Sequence, residues 1–215
     1  VIATGHMMRC IAIADAARKE NISTVFIVAE QQAEQLPKQH GYETICLGKK
    51  WDDFDSEIPM MEQLIREHDV QVLLIDSYFV THTYMAALKQ LTQIAYIDDL
   101  HARVWPCNVI INYAVYAGLF DYEGEYPYAK KLLGCQYAPL RKEYYKQGPF
   151  RVSKEVKNIL VVTGGTDEYH FLLTFAKRII EKKEWRKIRF TMVCGKFNKD
   201  RDALLTLADS SDNIM

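Results

Sequence analysis

The chain has 215 residues, and its 27 Lys and Arg residues against 28 Asp and Glu residues give a net charge of −1. Hydrophobic residues make up 49% and charged residues 26%, which is typical of globular proteins and excludes an intrinsically disordered chain. The balanced charge argues against nucleic-acid binding through bulk charge, and without about 18 uninterrupted apolar residues we expect no membrane span.

Short apolar runs alternate with amphipathic runs along the first half of the chain. The amphipathic runs predict helices at about residues 7–19, 31–40, 58–67 and 82–91. The apolar runs, which are rich in β-branched residues, predict strands at about residues 24–29, 42–47, 70–76, 93–98 and 109–112. Buried strands joined by helical crossovers are typical of a parallel sheet in an α/β domain.

The first six residues have the pattern of a loop that follows a strand and opens a helix. A doubly wound sheet has such a strand at or near its centre. We therefore expect the first strand of this domain to be absent from the sequence.

Residues 113–146 are irregular and hold eight of the thirteen tyrosines, which either pack domains together or stack on a base or sugar. The alternation then resumes, with strands predicted at 158–163 and 189–194 and helices predicted at 169–182 and 200–208. We predict a Rossmann-like N-terminal domain at 1–146, a linker at 147–155, and the start of a second domain at 156–215. The last segment is short for an independent domain, because little of its surface could be buried.

The five cysteines are widely spaced, and no Cys-x-x-Cys pair occurs. A structural zinc site is therefore not expected. Buried free thiols are typical of a reducing compartment, so we expect a cytoplasmic protein that binds no metal.

The Thr4-Gly5-His6 segment is the first candidate site. A glycine before a helix allows a close approach by a ligand, and the free N–H groups of the first turn attract an anion. A histidine there can act as a base near neutral pH, although an ordinary turn and cap is an alternative. Arg9, one turn later, could point at the same anion, lie on a solvated face or form a structural ion pair.

The Gly164-Gly165-Thr166-Asp167 segment is the second candidate site. It also follows an apolar strand and precedes a helix, so its N–H groups could hold a phosphate. Asp167 could instead cap the helix. Tyr78 and Asp99 follow two predicted strands, at the sheet edge where α/β proteins bind ligands, but turn formation explains them equally well.

Four motifs in this order resemble a known family. They are residues 3–10 (ATGHMMRC), residues 97–99 (IDD), Leu133-Gly134 leading to residues 137–143 (YAPLRKE), and residues 164–167 (GGTD). They are similar to the UDP-sugar hydrolases of pseudaminic acid biosynthesis and the spore-coat polysaccharide proteins grouped with them. The resemblance covers nearly the whole chain.

The resemblance implies a glycosyltransferase-B fold with two Rossmann-like domains, the second incomplete here. It implies that water attacks the anomeric carbon of UDP-2,4-diacetamido-2,4,6-trideoxy-β-L-altropyranose, releasing UDP with inversion and without a metal or cofactor. His6 matches the residue that positions or deprotonates the water, Tyr78 matches a position near the sugar, and residues 164–167 match the loop beside the diphosphate. Asp99 is the third catalytic candidate, and Thr4, Gly5 and Arg9 are candidates for substrate binding.

The chain departs from the family pattern at Ala3, where the family usually has glycine, and we expect the loops that hold uracil and ribose to lie outside this sequence. Two alternative functions therefore stay open. One is a glycosyltransferase that delivers a sugar from UDP to a cell-envelope or spore-coat polysaccharide. The other is a UDP-sugar-binding protein without catalytic activity.

Overall fold

A computed structural model of the chain describes residues 4–145, 148–149, 151–195 and 197–215. The chain divides into two compact units, Val1–Gln147 and Gly148–Met215. Both are mixed α/β structures, and each is described separately below.

Helices and parallel strands alternate in the first unit. Its helices are α1 (Thr4–Lys19), α2 (Gln35–Gln39), α3 (Ile58–Glu67), α4 (His82–Leu88) and α5 (Tyr122–Glu125). Its strands are β1 (Val25–Val28), β2 (Glu43–Cys46), β3 (Val72–Ile75), β4 (Gln93–Ile97), β5 (Val109–Asn112) and β6 (Lys130–Leu133). The four helices and five strands predicted before residue 113 are confirmed, although the first part of the predicted helix at 31–40 is a 3₁₀ turn. The expected loop at the start of the chain is wrong for Thr4, Gly5 and His6, because α1 begins at Thr4 and these residues form its first turn.

The strands form a two-stranded sheet, β1-β2, and a four-stranded sheet in the order β3-β4-β5-β6. All these pairings are parallel, and the four-stranded sheet is consistent with a Rossmann-like fold. No strand pairs with both β1 and β3 in the part of the chain that the structure describes. The expected additional central strand stays a prediction.

Strand β6 and helix α5 lie in residues 113–146, which the sequence predicted to be irregular, and that expectation is wrong for both. β6 pairs with β5 in the register Val109↔Lys130 to Asn112↔Leu133. It starts with two lysines and lies at the edge of the sheet, where charged side chains are common because they discourage pairing with another chain. Strand β6 therefore lacks the apolar pattern from which the other strands were predicted.

The main core of the first unit lies between the four-stranded sheet and helices α3 and α4. Met85, Leu88, Ile94 and Ile110 are inaccessible to solvent at its centre. Burying a side chain of this size stabilises the folded state by about 1.5–3 kcal/mol. This packing fixes where β3 and β4 end, and thereby where the side chains after them lie.

The second unit has the two predicted strands, β7 (Asn158–Val162) and β8 (Arg189–Val193), which pair in parallel. Helices α6 (Phe171–Glu181) and α7 (Arg201–Asp209) follow them. Leu172, Ile179 and Phe190 are almost completely buried in a separate core. Within the described ranges of both units, no helix is long and apolar enough to cross a membrane.

Glu57, at the start of α3, is a buried carboxyl group that is only 5% exposed. Burial, together with the nearby charge of Asp53, raises its pKa from 4.5 to about 7, although Lys49 opposes this. Between these pH values the folded state binds a proton more tightly than the unfolded state does. The contribution of this group to stability is therefore complete at low pH and is lost as the pH rises through 7.

We expect Glu57→Gln to flatten the pH dependence of stability, measured by urea denaturation between about pH 4 and pH 8. In the original chain, Glu57 should lower the free energy of unfolding by up to about 3 kcal/mol as the pH rises over this range. Glu62→Gln, on the same helix but partly exposed, should leave the profile unchanged. The same slope in the Glu57→Gln variant as in the original chain would contradict this assignment.

Candidate active site

The carboxyl ends of three neighbouring strands and the first turns of α1 bring six polar side chains together. We call this group the Arg9 cluster, and its members are His6 and Arg9 from α1, Asp76 and Tyr78 after β3, Asp99 after β4, and Tyr113 after β5. Four of the sequence candidates therefore lie in one place, namely His6, Arg9, Tyr78 and Asp99. It is the sheet edge at which α/β proteins commonly bind ligands.

Arg9 is the central residue of the cluster, and its side chain is 13% exposed. Its Nε donates to Asp76 Oδ2 at 2.5 Å, and Nη2 donates to Asp76 Oδ1. Nη1 donates to Asp99 Oδ2 at 2.7 Å and to the Tyr113 hydroxyl at 2.6 Å. Burial opposes its charge, but the hydrogen bonds with Asp76 and Asp99 outweigh this and raise the pKa of Arg9 above its ordinary value.

Four of the five N–H groups of the guanidinium are thus bonded to residues of the chain itself. This is the ion-pair arrangement that the sequence left open for Arg9. A direct contact between Arg9 and a diphosphate stays a prediction.

His6 is held by Asp76, whose side chain is only 3% exposed. His6 Nδ1 lies 2.7 Å from Asp76 Oδ1 and 2.9 Å from Arg9 Nη2. We assign the proton to Nδ1, because the buried carboxylate can only accept a hydrogen bond. In this tautomer a neutral ring has its free lone pair on Nε2, which is then the ring nitrogen that can accept a proton.

Tyr78 and Asp99 lie beside the His6 ring. The Tyr78 hydroxyl donates to Asp99 Oδ2 at 2.9 Å, and its ring packs edge-on against His6 with 4.8 Å between the ring centres. Burial and the hydrogen bond with Asp99 raise the pKa of Tyr78, so this residue is a protonated donor. Because Tyr78 is 46% exposed, its ring can also contact a ligand.

Asp98, the neighbour of Asp99, points away from the cluster. It is 2% exposed and accepts hydrogen bonds from the Tyr122 hydroxyl and from the backbone N–H of His101, both at 2.9 Å. Successive side chains at a strand end point in opposite directions. Only Asp99 of this pair therefore contributes to the candidate site.

Two members of the cluster were not selected as site residues from the sequence. They are Asp76, the last residue of a predicted strand, and Tyr113, one of the eight tyrosines in residues 113–146. Cys10, which we expected to be an ordinary buried thiol, lies with its Sγ 3.6 Å from Asp76 Oδ2. The spacing of His6, Arg9 and Cys10 places them on one helix face. This spacing was the feature of the sequence that could have indicated a shared partner such as Asp76.

The candidate site in the second unit is the turn between β7 and α6. Asp167 is 7% exposed, and its carboxylate accepts hydrogen bonds from the N–H groups of Phe171 and Leu172 at 3.1 and 2.9 Å. Asp167 thus caps α6, as one of the two alternatives predicted. The Asp167 carboxylate thus accepts hydrogen bonds from N–H groups that could otherwise bind an anion.

The glycines of this turn have specific structural roles. Gly164 has a φ of 80°, in the left-handed region that favours glycine. Gly195 lies so close to the turn that an added Cβ would come within 2.4 Å of the Gly165 carbonyl oxygen. Phosphate binding by Gly164, Gly165 and Thr166 stays a prediction, as do the roles of Gly5 and of Thr4, whose side chain lies outside the described residues.

We expect Asp167→Ala to lower the free energy of unfolding of the second unit by about 1–2 kcal/mol, because two N–H groups of α6 lose their acceptor. Asp167→Asn should lose less, since an amide oxygen can still accept a hydrogen bond. Thermal denaturation followed by circular dichroism measures both changes. Asp212→Ala, which removes an exposed acid, is the control, and equal stability of the two alanine variants would contradict the capping role.

Comparisons with known proteins relate the chain to a sugar-nucleotide enzyme. It is 27% identical to the UDP-2,4-diacetamido-2,4,6-trideoxy-beta-L-altropyranose hydrolase of Campylobacter jejuni over 56% of this chain and 44% of the relative. The chain is distantly similar to a UDP-sugar hydrolase. It is also 22% identical to an uncharacterized protein of Methanocaldococcus jannaschii over 98% of this chain and 44% of that relative.

The chain therefore spans less than half the length of both curated relatives. No protein-family model matches it. Within the described residues, no three His, Cys, Asp or Glu side chains are grouped so that they could hold a metal ion.

Proposed function

We propose that the chain provides the water-activating part of a nucleotide-sugar hydrolase with a glycosyltransferase-B arrangement. The observation that carries this proposal is the pairing of His6 Nδ1 with buried Asp76, which leaves His6 Nε2 as the base. A general base in this position suits the attack of water on an electrophilic carbon. The distant similarity to a UDP-sugar hydrolase supports a UDP-sugar as the substrate.

In the proposed reaction, a water molecule gives a proton to His6 Nε2 as its oxygen bonds to the anomeric carbon of the sugar. The bond between that carbon and the diphosphate oxygen breaks, and its electron pair leaves with UDP. Because water approaches from the face opposite UDP, the anomeric configuration inverts. The buried carboxylate of Asp76 stabilises the imidazolium that forms on His6, and no metal takes part.

Tyr78 and Asp99 are proposed to contact the sugar. The Tyr78 ring is half exposed beside His6, so it can pack on the sugar and keep it against the base. Arg9 holds Asp76 and Asp99 in place, and Tyr113 accepts a hydrogen bond from Arg9. The backbone of Gly164, Gly165 and Thr166 is proposed to bind the diphosphate.

The substrate that we propose is a UDP-linked diacetamido-trideoxy sugar, on the basis of the distant relative's activity. The test is to incubate the full-length protein with UDP-2,4-diacetamido-2,4,6-trideoxy-β-L-altropyranose and to follow UDP by chromatography. UDP should appear with water alone. Release only after addition of a polysaccharide acceptor would indicate the glycosyltransferase alternative, and binding without release would indicate a non-catalytic protein.

We expect Asp76→Asn to lower kcat by about 10²-fold or more, because an amide can hold the wrong tautomer of His6 and cannot stabilise the imidazolium. KM should change much less, since Asp76 is buried away from the sugar. Asp52→Asn, at an exposed position, controls for the change of charge. An Asp76→Asn enzyme with undiminished kcat would exclude this role for Asp76.

A further inference from the structure

A second group of charged side chains lies at the opposite end of α1 from His6. The last turns of α1 and residues 140–145 enclose a cavity of about 200 Å³. Four basic residues line it, namely Arg18, Lys19, Arg141 and Lys142. Asp15 also lines it, so the local charge is strongly positive in a chain whose net charge is −1.

No carboxylate neutralises these four cations within the described ranges of the chain. The carboxylate of Asp15 is engaged elsewhere, because it accepts a hydrogen bond from the Tyr42 hydroxyl at 2.6 Å. Arg18 Nη2 also donates to the backbone oxygens of His40 and Gly41, at 3.3 and 3.2 Å, and these contacts leave its positive charge in place. The positive charges that line the cavity can therefore attract an anion.

Tyrosine rings hold three of the four cations in place. Arg18 lies over the ring of Tyr42, with 3.9 Å between the guanidinium carbon and the ring centre. Lys19 lies 5.7 Å from the centre of the Tyr145 ring. Contacts of this kind orient a cation without removing its charge.

Arg141 is held in the same way by Tyr144. Its guanidinium carbon lies 5.2 Å from the ring centre, and Nη2 donates to the hydroxyl at 2.8 Å. The negative end of the α1 dipole accounts for basic residues at Arg18 and Lys19. It does not account for Arg141 and Lys142, which reach the same cavity from a separate segment.

We propose that this cavity binds a phosphate group. Arginine side chains bind phosphate oxygens in a fork geometry and lysines add point charges, so this set fits a phosphate dianion. The site differs from the Arg9 cluster, because Arg18 lies nine residues after Arg9 along α1, a rise of about 14 Å. The proposal does not depend on the hydrolase activity.

Isothermal titration calorimetry of the full chain with inorganic phosphate tests the proposal. We expect saturable binding of one phosphate per chain, weakened as NaCl is added. The double variant Arg141→Ala/Lys142→Ala should bind at least roughly fivefold more weakly, because it loses two of the four charges. The control Lys50→Ala/Lys130→Ala removes two exposed charges that do not line the cavity, and it should bind as the original chain does.

A His6→Ala variant should keep its affinity for phosphate, since His6 lies at the other end of α1. Sedimentation with phosphatidic acid vesicles distinguishes the source of the phosphate group. Vesicle binding that free glycerol 3-phosphate abolishes indicates a free ester, and vesicle binding that it does not abolish indicates a lipid headgroup. Absence of saturable phosphate binding, or equal affinity in the two double variants, would overturn the proposal.

Discussion

His6→Ala is expected to lower kcat for UDP release by about 10²–10⁴-fold, the usual contribution of a general base. The ring nitrogen Nδ1 of His6 is paired with Asp76 at 2.7 Å, and Nε2 is the nitrogen that we propose as the base for water. Its side chain is 25% exposed, and its loss should cost little stability. The measurement is a comparison of kcat and KM between the original and variant enzymes, with folding checked by circular dichroism.

His68→Ala is the matched control, because His68 is exposed at the end of α3 and precedes β3, whereas Asp76 and Tyr78 follow β3. It should have the kcat of the original enzyme. A pH profile adds a second readout, since a rate limited by a histidine base loses its acid limb when that base is removed. An undiminished kcat in His6→Ala would exclude His6 as the base.

Arg9→Ala is expected to lower the free energy of unfolding by about 3–5 kcal/mol, which is the usual cost of removing one partner of a buried ion pair. Asp76, 3% exposed, and Asp99, 19% exposed, would then face each other without a cation. Arg9→Lys should recover only part of this loss, because one ammonium group cannot donate to both carboxylates and to Tyr113 in the geometry of a guanidinium. Urea denaturation measures all three proteins.

Arg66→Ala is the control for the arginine side chain. Arg66 forms an exposed ion pair with Glu62 on the same helix, and such a pair contributes about 0.5 kcal/mol or less. If Arg9→Ala were no more destabilising than Arg66→Ala, the cluster would not depend on a buried cation.

Much of the fold could be predicted from local sequence patterns. The runs that became β3, β4 and β5 are short, apolar and rich in β-branched residues, and amphipathic runs separate them. Strand β6 could not be predicted in this way, because Lys130 and Lys131 are acceptable only at the sheet edge, and pairing with β5 depends on tertiary structure.

The candidate site was predictable only in part, for a related reason. Polar residues directly after strands identified Tyr78 and Asp99, and the Gly5-His6 pair at the start of α1 identified His6. The contacts of Arg9 join positions 67 to 104 residues apart, and no local pattern determines which partners a side chain meets at that distance. For Asp167 the sequence allowed both capping and ligand binding, and the hydrogen bonds to Phe171 and Leu172 show the capping contact.

The most direct test of the proposed chemistry is hydrolysis of the UDP-sugar by the full-length protein in H₂¹⁸O, followed by mass spectrometry of both products. Attack of a His6-activated water on the anomeric carbon predicts that one ¹⁸O atom appears in the released sugar and none in UDP. Appearance of ¹⁸O in UDP would mean that water attacks phosphorus, which would contradict the account.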